Sequence, residues 1–207
     1  LITTKKGKGG KFRVNYNTYT GVASPIDFLD LLGTNDFVTI QNEKRSNRAA
    51  SPWAAGTKFN TDWQKAVLRS NAFQTDHNLS LSGSTDKTNY YFSVGYNEQE
   101  GIAKSNDQTR YNIRANVDQK VKSWLNIGVN AALSRTQNNG LNIGQGSLSG
   151  LMFNAMRQLP NTAIYDATNP TGYNIAGGSV GQGENLSVIG NNLPNIVYVL
   201  DNNIVVN

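Results

Sequence analysis

The reactive inventory of this chain is small: one histidine, no cysteine and a scatter of carboxylates. His77 follows Asp76, but the pair would serve nucleophilic chemistry only with a serine in hydrogen-bond reach and an oxyanion hole. No nucleophile-elbow motif is present, so His77 is read as a strand histidine near an interface. Asp27 with Asp30, and Asp166 with Asn169, could begin a cation site. Ca²⁺ demands about 6–8 oxygens, and neither pair approaches that, so these are read as solvated loop carboxylates. The run Gly7–Lys11, GKGGK, lacks the spacing of a phosphate loop, and no helix follows it. Without cysteine there is neither a disulfide frame nor a thiolate metal site. The expectation is no catalytic residue, no cofactor and no metal site.

A different kind of chemistry is written in alternation. Arg110, Asn112, Arg114, Asn116 and Asp118 fall on every second residue, so on a strand they share one face. Tyr111, Ile113, Ala115 and Val117 then share the other. Four more segments alternate in the same way. Phe12, Val14, Tyr16, Thr18 and Val22 oppose Arg13, Asn15 and Asn17, and Leu79 and Leu81 oppose Asn78, Ser80 and Ser82. Tyr90, Phe92, Val94 and Tyr96 oppose Tyr91, Ser93, Gly95 and Asn97. Leu125, Ile127, Val129, Ala131 and Leu133 oppose Asn126, Gly128, Asn130 and Ala132.

The connections are as telling as the strands. Their order is long, short, medium, short, long, which puts the short turns and the long loops at opposite ends of an antiparallel meander. Outer-membrane barrels show that asymmetry. Aromatics near strand ends (Tyr16, Tyr19, Tyr90, Tyr96, Tyr111 and Trp124) fit an interfacial girdle. The pattern therefore predicts an all-β fold of antiparallel transmembrane barrel strands with short helices in long extracellular loops, a half-buried soluble sheet being the alternative. Tyr90, Phe92, Val94, Tyr96, Ile113, Ile127 and Val129 are the candidate lipid-facing residues. The Arg110-to-Asp118 row is the candidate lumen-facing set, able to hydrogen-bond a polar solute or to hold a plug.

Composition agrees. Charged residues make up 16% of the 207 residues and hydrophobic ones 38%, the balance being taken by Gly, Asn, Ser and Thr. A typical soluble domain has about 25% charged residues. No apolar run is long enough for a transmembrane helix, which leaves barrel strands of about 9–11 residues open. The net charge of +5 is crowded at the start, at Lys5, Lys6, Lys8 and Lys11, read as a solvated linker with no nucleic-acid partner. The chain opens mid-pattern, without an initiator Met or a signal peptide, which suggests an internal piece of a longer protein.

Helical spacing is expected over Asn35–Lys44 with Thr34 as cap, and over Asp62–Arg69 with Thr61 as cap. A third helix is expected around Leu148, Leu151, Met152, Ala155 and Leu159, stopped by Pro160. Beyond Pro160, where Gly177-Gly178, Asn191-Asn192 and Asn202-Asn203 punctuate the chain, a loop is expected.

These residues resemble a known family, the SusC/RagA-like TonB-dependent outer-membrane transporters. LITTKKGKGGK (Leu1 to Lys11) is similar to the close of their plug domain, and NTDWQKAVLR (Asn60 to Arg69) to a helix ahead of the second strand. HNLSLSGSTDKTNYYFSVGYNEQEGI (His77 to Ile102) resembles strands two and three. RYNIRANVDQKVKSWLNIGVNAALSRT (Arg110 to Thr136) resembles strands four and five, and NNLPNIVYVLDNN (Asn191 to Asn203) the loop into strand six. The resemblance implies that residues 1–10 end a plug domain, 11–136 hold the first five barrel strands with extracellular loops, and 137–207 form a long extracellular loop. It implies that the strands are part of a large plugged barrel, a bacterial outer-membrane, multi-pass β-barrel engaged in nutrient uptake. Oligosaccharides or peptides would be imported with a SusD-like surface lipoprotein, outer-membrane lipid would surround the barrel, and TonB would act through a segment absent here. Two rival readings stand beside it. One is a soluble β-rich carbohydrate-binding or adhesin module with Trp53, Trp63 and Trp124 as stacking platforms; the other is an outer-membrane barrel with a scaffolding or assembly role.

Overall fold

A computed structural model describes residues 10–50, 58–140, 150–176, 179–180 and 194–202. The lysine run before Gly10, Trp53, Leu148, the Gly177-Gly178 pair, Asn191-Asn192 and Asn203 lie outside the described residues.

Five strands form one antiparallel sheet in sequence order: β1 (Arg13–Ala23), β2 (Ala72–Ser84), β3 (Thr88–Glu100), β4 (Asp107–Lys122) and β5 (Leu125–Asn139). Each strand pairs with the next, so the sheet is a simple meander with β1 and β5 at its edges. The β2–β3 and β4–β5 turns occur at one end of the strands; the β1–β2 and β3–β4 connections and the exit from β5 leave from the other. The strands run further than the alternation of apolar residues. β2 begins at Ala72 instead of near His77, and the β3–β4 connection shortens to 101–106 because Glu98–Glu100 pair with Asp107–Thr109. Polar residues there look loop-like in sequence, yet backbone pairing does not depend on which side chain it carries.

The chain divides into two compact units, and this sheet with its tight turns is the first. The second gathers Pro25–Ser70, Ile102–Ser105 and Gly140–Asn207. It holds α1 (Thr34–Ser46), α2 (Trp63–Val67), α3 (Leu151–Arg157), α4 (Ile196–Asp201) and the two-residue strands β6 (Ile175–Ala176) and β7 (Ser179–Val180). Its core is Trp63 and Val67 of α2, Leu151 and Ala155 of α3, and Ile196, Val197, Val199 and Leu200 of α4. The apolar stripes expected for α2 and α3 are thus packing faces.

Three local expectations are corrected. Thr34 is not a cap: Gly33 takes that position, while Thr34 Oγ1 donates to the Phe59 carbonyl at 2.7 Å. Thr61 is not a cap either. Asp62 is, accepting from the Lys65 amide at 3.0 Å, and Thr61 Oγ1 donates to the Thr162 carbonyl at 2.7 Å. The chain beyond Pro160 is not all loop, because α4 forms there with Asn195 as its cap.

Candidate functional site

The register carries every alternating segment onto a common pair of faces. Residues directly opposite in an antiparallel pair project to the same side. Reading across the sheet, Val14, Leu81, Phe92, Ala115 and Ala131 form one row. Tyr16, Leu79, Val94, Ile113 and Leu133 form the next, and Thr18, His77, Tyr96, Tyr111 and Arg135 the one after. All seven residues expected to face lipid lie on this side, Tyr90 opposite Gly83 and Val117, and Ile127 opposite Gln119. Among the described residues of the sheet unit nothing covers the face: Val94 is 52% exposed and Leu133 70%. A contiguous apolar surface this wide is foreign to a soluble monomer and marks a membrane or partner contact.

One glycine on this face has a definite reason. A Cβ at Gly83 would collide with the Tyr90 ring, which therefore lies across the strand at a position only glycine leaves free. His77 sits where the face turns polar. Its Nδ1 meets Tyr16 OH at 2.6 Å and Thr18 Oγ1 at 3.0 Å, and its Nε2 meets Thr75 Oγ1 at 3.0 Å. Its ring lies stacked between Tyr16 and Tyr96. Asp76 projects from the opposite face, where Asn97 Nδ2 donates to it at 3.3 Å, so the two side chains do not form a catalytic pair. His77 instead belongs to an aromatic, hydroxyl-rich belt, as an interfacial position requires.

The other face gathers the expected lumen set in one line. Arg110 lies between Asn97 and Thr136, Asn112 between Gly95 and Ser134, and Arg114 between Ser93 and Ala132. Asn116 lies between Tyr91 and Asn130, and Asp118 between Asn89 and Gly128. Ser134 Oγ donates to Asn112 Oδ1 at 2.8 Å, and Arg110 Nη2 donates to Gln108 Oε1 at 3.3 Å. Around Arg114 the face dips into a groove of about 550 Å³ lined by Asn78, Tyr91, Ser93, Asn112 and Ser134. It offers hydrogen-bond donors and acceptors with one guanidinium among them, suited to holding polar groups and not to bond-breaking chemistry.

The loop unit has its own polar logic. Irregular backbone must find hydrogen-bond partners wherever it is buried, and here side chains supply them. Trp63 Nε1 donates to the Leu159 carbonyl at 3.0 Å, Asn174 Nδ2 to Ala163 at 2.9 Å, Asn195 Nδ2 to Ile164 at 2.8 Å and Gln158 Nε2 to Pro194 at 2.6 Å. Gln64 clamps the backbone of Leu29 from both sides, accepting from its amide and donating to its carbonyl. Asp166 and Asn169 are turn formers. Each accepts from the hydroxyl and the amide of the threonine two residues on, and the Thr168 contacts hold the Asp166 carboxyl below its ordinary pKa. The Tyr173 hydroxyl donates to Asp201 at 2.7 Å, which pushes its pKa up to about 12. Trp63 is 3% exposed and cannot serve as a stacking platform, whereas Trp124 is 74% exposed. No group of three or more metal-ligating side chains occurs among the described residues. A cavity of about 570 Å³ in this unit is lined in part by Phe28, Phe37, Lys65, Arg157 and Gln158.

No family model matches the chain. Curated proteins do. It is 27% identical over 184 residues to TonB-dependent receptor P3 of Formosa agariphila, an alignment covering 87% of the chain and 18% of that protein. It is 30% identical over 174 residues to TonB-dependent receptor P26 of the same organism, covering 80% and 17%. It is 28% identical over 180 residues to TonB-dependent receptor SusC of Bacteroides thetaiotaomicron, covering 86% and 17%. The chain is SusC/RagA-like. Its fold matches a solved structure of the RagAB peptide importer in a closed-closed state, with a TM-score of 0.63 at 20% identity over 80% of the chain and 22% of that structure. A second RagAB peptide transporter structure gives 0.59 at 21% identity over 68% and 19%. This SusC/RagA-like chain spans less than a fifth of the length of these curated relatives. By this likeness the chain belongs with the TonB-dependent receptors, and its strands are those of an outer-membrane β-barrel.

Proposed function

We propose that the chain forms five neighbouring strands in the wall of a TonB-dependent importer. Its apolar face meets outer-membrane lipid, and the Arg110-to-Asp118 row faces the lumen. Residues 1–10 close the plug, 11–136 hold the strands and their loops, and 137–207 extend the extracellular surface. The observation that carries this reading is the register. Over their middle stretches all five strands put their aliphatic residues on one exposed face and Asn, Ser and Arg on the other, with polar residues such as Arg135 joining the apolar side toward the strand ends. From Ile127 to Arg135, β5 covers about 27 Å along the strand, and about 20 Å along the membrane normal at a tilt of roughly 35–45°. That is close to the apolar band of about 25 Å in such barrels.

The cargo is an oligosaccharide or a peptide, taken up with a SusD-like surface lipoprotein seated over the loops and with energy delivered through TonB. The RagAB relative is a peptide transporter, and a polar groove around Arg114 suits a solute rich in carbonyls and hydroxyls. The test is growth. A strain lacking the full-length gene should lose growth on the cognate oligomer and keep growth on its monomer, with rescue by the wild-type gene. Normal growth of the deletion strain on every oligosaccharide and peptide source tried, with the outer membrane disturbed instead, would favour the scaffolding role.

A further inference from the structure

We propose that Lys122 and Trp124 form an anchor for the phosphate of an anionic phospholipid headgroup at the turn end of the apolar face. The inference rests on the reading that this face meets lipid. It starts from an irregularity in the β4–β5 ladder. Lys120 lies opposite Asn126, but Lys122 lies opposite Leu125, so β4 carries one extra residue at Val121. Regular alternation would send Lys122 to the polar face with Asn116, Asp118 and Lys120. The bulge places it instead on the side of Leu125 and Ile127, at the rim of the apolar surface. Bulges recur where a strand must re-aim a side chain.

What the bulge delivers is a cation beside an aromatic ring. Lys122 Nζ lies 5.6 Å from the centroid of the Trp124 ring. Trp124 occupies the two-residue turn and is the more exposed of the two described tryptophans. No carboxylate lies within ion-pair distance of Lys122 among the described residues. The ammonium therefore keeps hydrogen-bond donors for an outside anion, and the indole occupies the depth at which lipid esters begin.

Charge along the strands selects the anion. Lys87 sits at the same end as Lys122, next to Asp86 in the β2–β3 turn, and the two turns are tied by the Lys120 amide donating to the Lys87 carbonyl at 2.6 Å, the Lys120 side chain lying on the polar face. At the loop end, the same apolar-side face carries Glu98, Glu100 and Asp107, with Arg135 one row nearer the middle. A lipid phosphate is thus attracted at the turn end, where the acyl chains can run along Val121, Leu125 and Ile127. Each lysine near an anionic surface strengthens attraction about fivefold.

The experiment uses the full-length receptor reconstituted in vesicles of equimolar phosphatidylcholine and phosphatidylglycerol, then extracted so that retained lipids can be counted by native mass spectrometry. The wild type should retain phosphatidylglycerol in preference to phosphatidylcholine. Lys122→Gln should cut that preference about fivefold, Lys122→Arg should keep it, and Lys44→Gln in α1 should leave it unchanged. An unchanged preference in Lys122→Gln, or an equal fall in Lys44→Gln, overturns the anchor while leaving the lipid-facing wall intact. A receptor that stays soluble without detergent and retains neither lipid overturns the wall, and the anchor with it.

Discussion

Val94→Arg tests the two-faced wall most directly. Val94 lies in the third of the five strands, in the middle of the row Tyr16, Leu79, Val94, Ile113 and Leu133. The Phe92 row lies on one side of it and the aromatic His77 belt on the other, so an arginine there sits in an apolar row and must reach past Tyr96 to find polar partners. A lipid-facing cation near the midplane costs about 2–4 kcal/mol. Ser93 is the natural control, one residue away and on the opposite face. Its cross-strand neighbours are Ser80 and Arg114, beside the polar groove. Ser93→Arg should cost only the like-charge pairing with Arg114, about 0.2–1 kcal/mol, and Ser93→Glu should remove even that. The measurement is denaturant-induced unfolding of the full-length receptor in phosphatidylcholine vesicles, followed by tryptophan fluorescence. Val94→Arg should exceed Ser93→Arg by at least about 1 kcal/mol. Equal costs, or a larger cost for Ser93→Arg than for Val94→Arg, would refute the assignment of faces.

Trp63→Ala should open the loop-unit core and orphan the Leu159 carbonyl, costing about 3–5 kcal/mol, seen as lost hydrogen-exchange protection in 58–70 and 150–163. Asn195→Ala removes the α4 cap and the donor to two carbonyls, and should cost at least about 2 kcal/mol by the same assay. Burial works to raise the pKa of Asp62, but its bonds to the Lys65 amide and ammonium outweigh that and hold the carboxyl below the ordinary aspartate value. The carboxylate therefore stabilises α2 at pH values above its unfolded pKa, and this contribution should fade as pH falls below about 4, with Asp62→Asn showing no such fade. Gly83→Val should displace the Tyr90 ring, detected as a rise in accessibility of Tyr90 to membrane-impermeant iodination.

The wall was legible in the sequence because its cause is local. Side chains alternate on a strand, so two solvents on two sides leave a period of two wherever both are present. The signal fades where the solvents do not differ. Glu98 to Glu100 and Asp107 to Thr109 are paired strand, yet at the loop end both faces are polar and no alternation remains. The caps failed for another reason. Thr34 and Thr61 have the right side chain in the right place, but each hydroxyl goes to a distant carbonyl, Phe59 or Thr162, and only tertiary structure sets that partner. α4 was missed because IVYVLD is rich in β-branched residues that favour strands. It is helical because the Asn195 side chain caps it and four of its residues are buried in one core, and tertiary burial outweighs propensity.

The same contrast explains the unusual load of asparagine. In the sheet, asparagine such as Asn112 or Asn78 is a neutral polar surface, wetted without adding charge to a face that already carries Arg110 and Arg114. In the loop unit it braces irregular backbone: Asn174 and Asn195 side chains together donate to three backbone carbonyls, those of Ala163, Ile164 and Asn174. A connection that only spanned two strands would need neither those amides nor the apolar cluster of Trp63, Val67, Leu151 and Ile196. Building a core from segments as far apart in sequence as 63–67 and 196–200 fixes the backbone of the loops between them, at a cost in chain entropy that packing must offset. Loops that must present a fixed surface to a solute or a partner require that rigidity, and loops that merely connect do not.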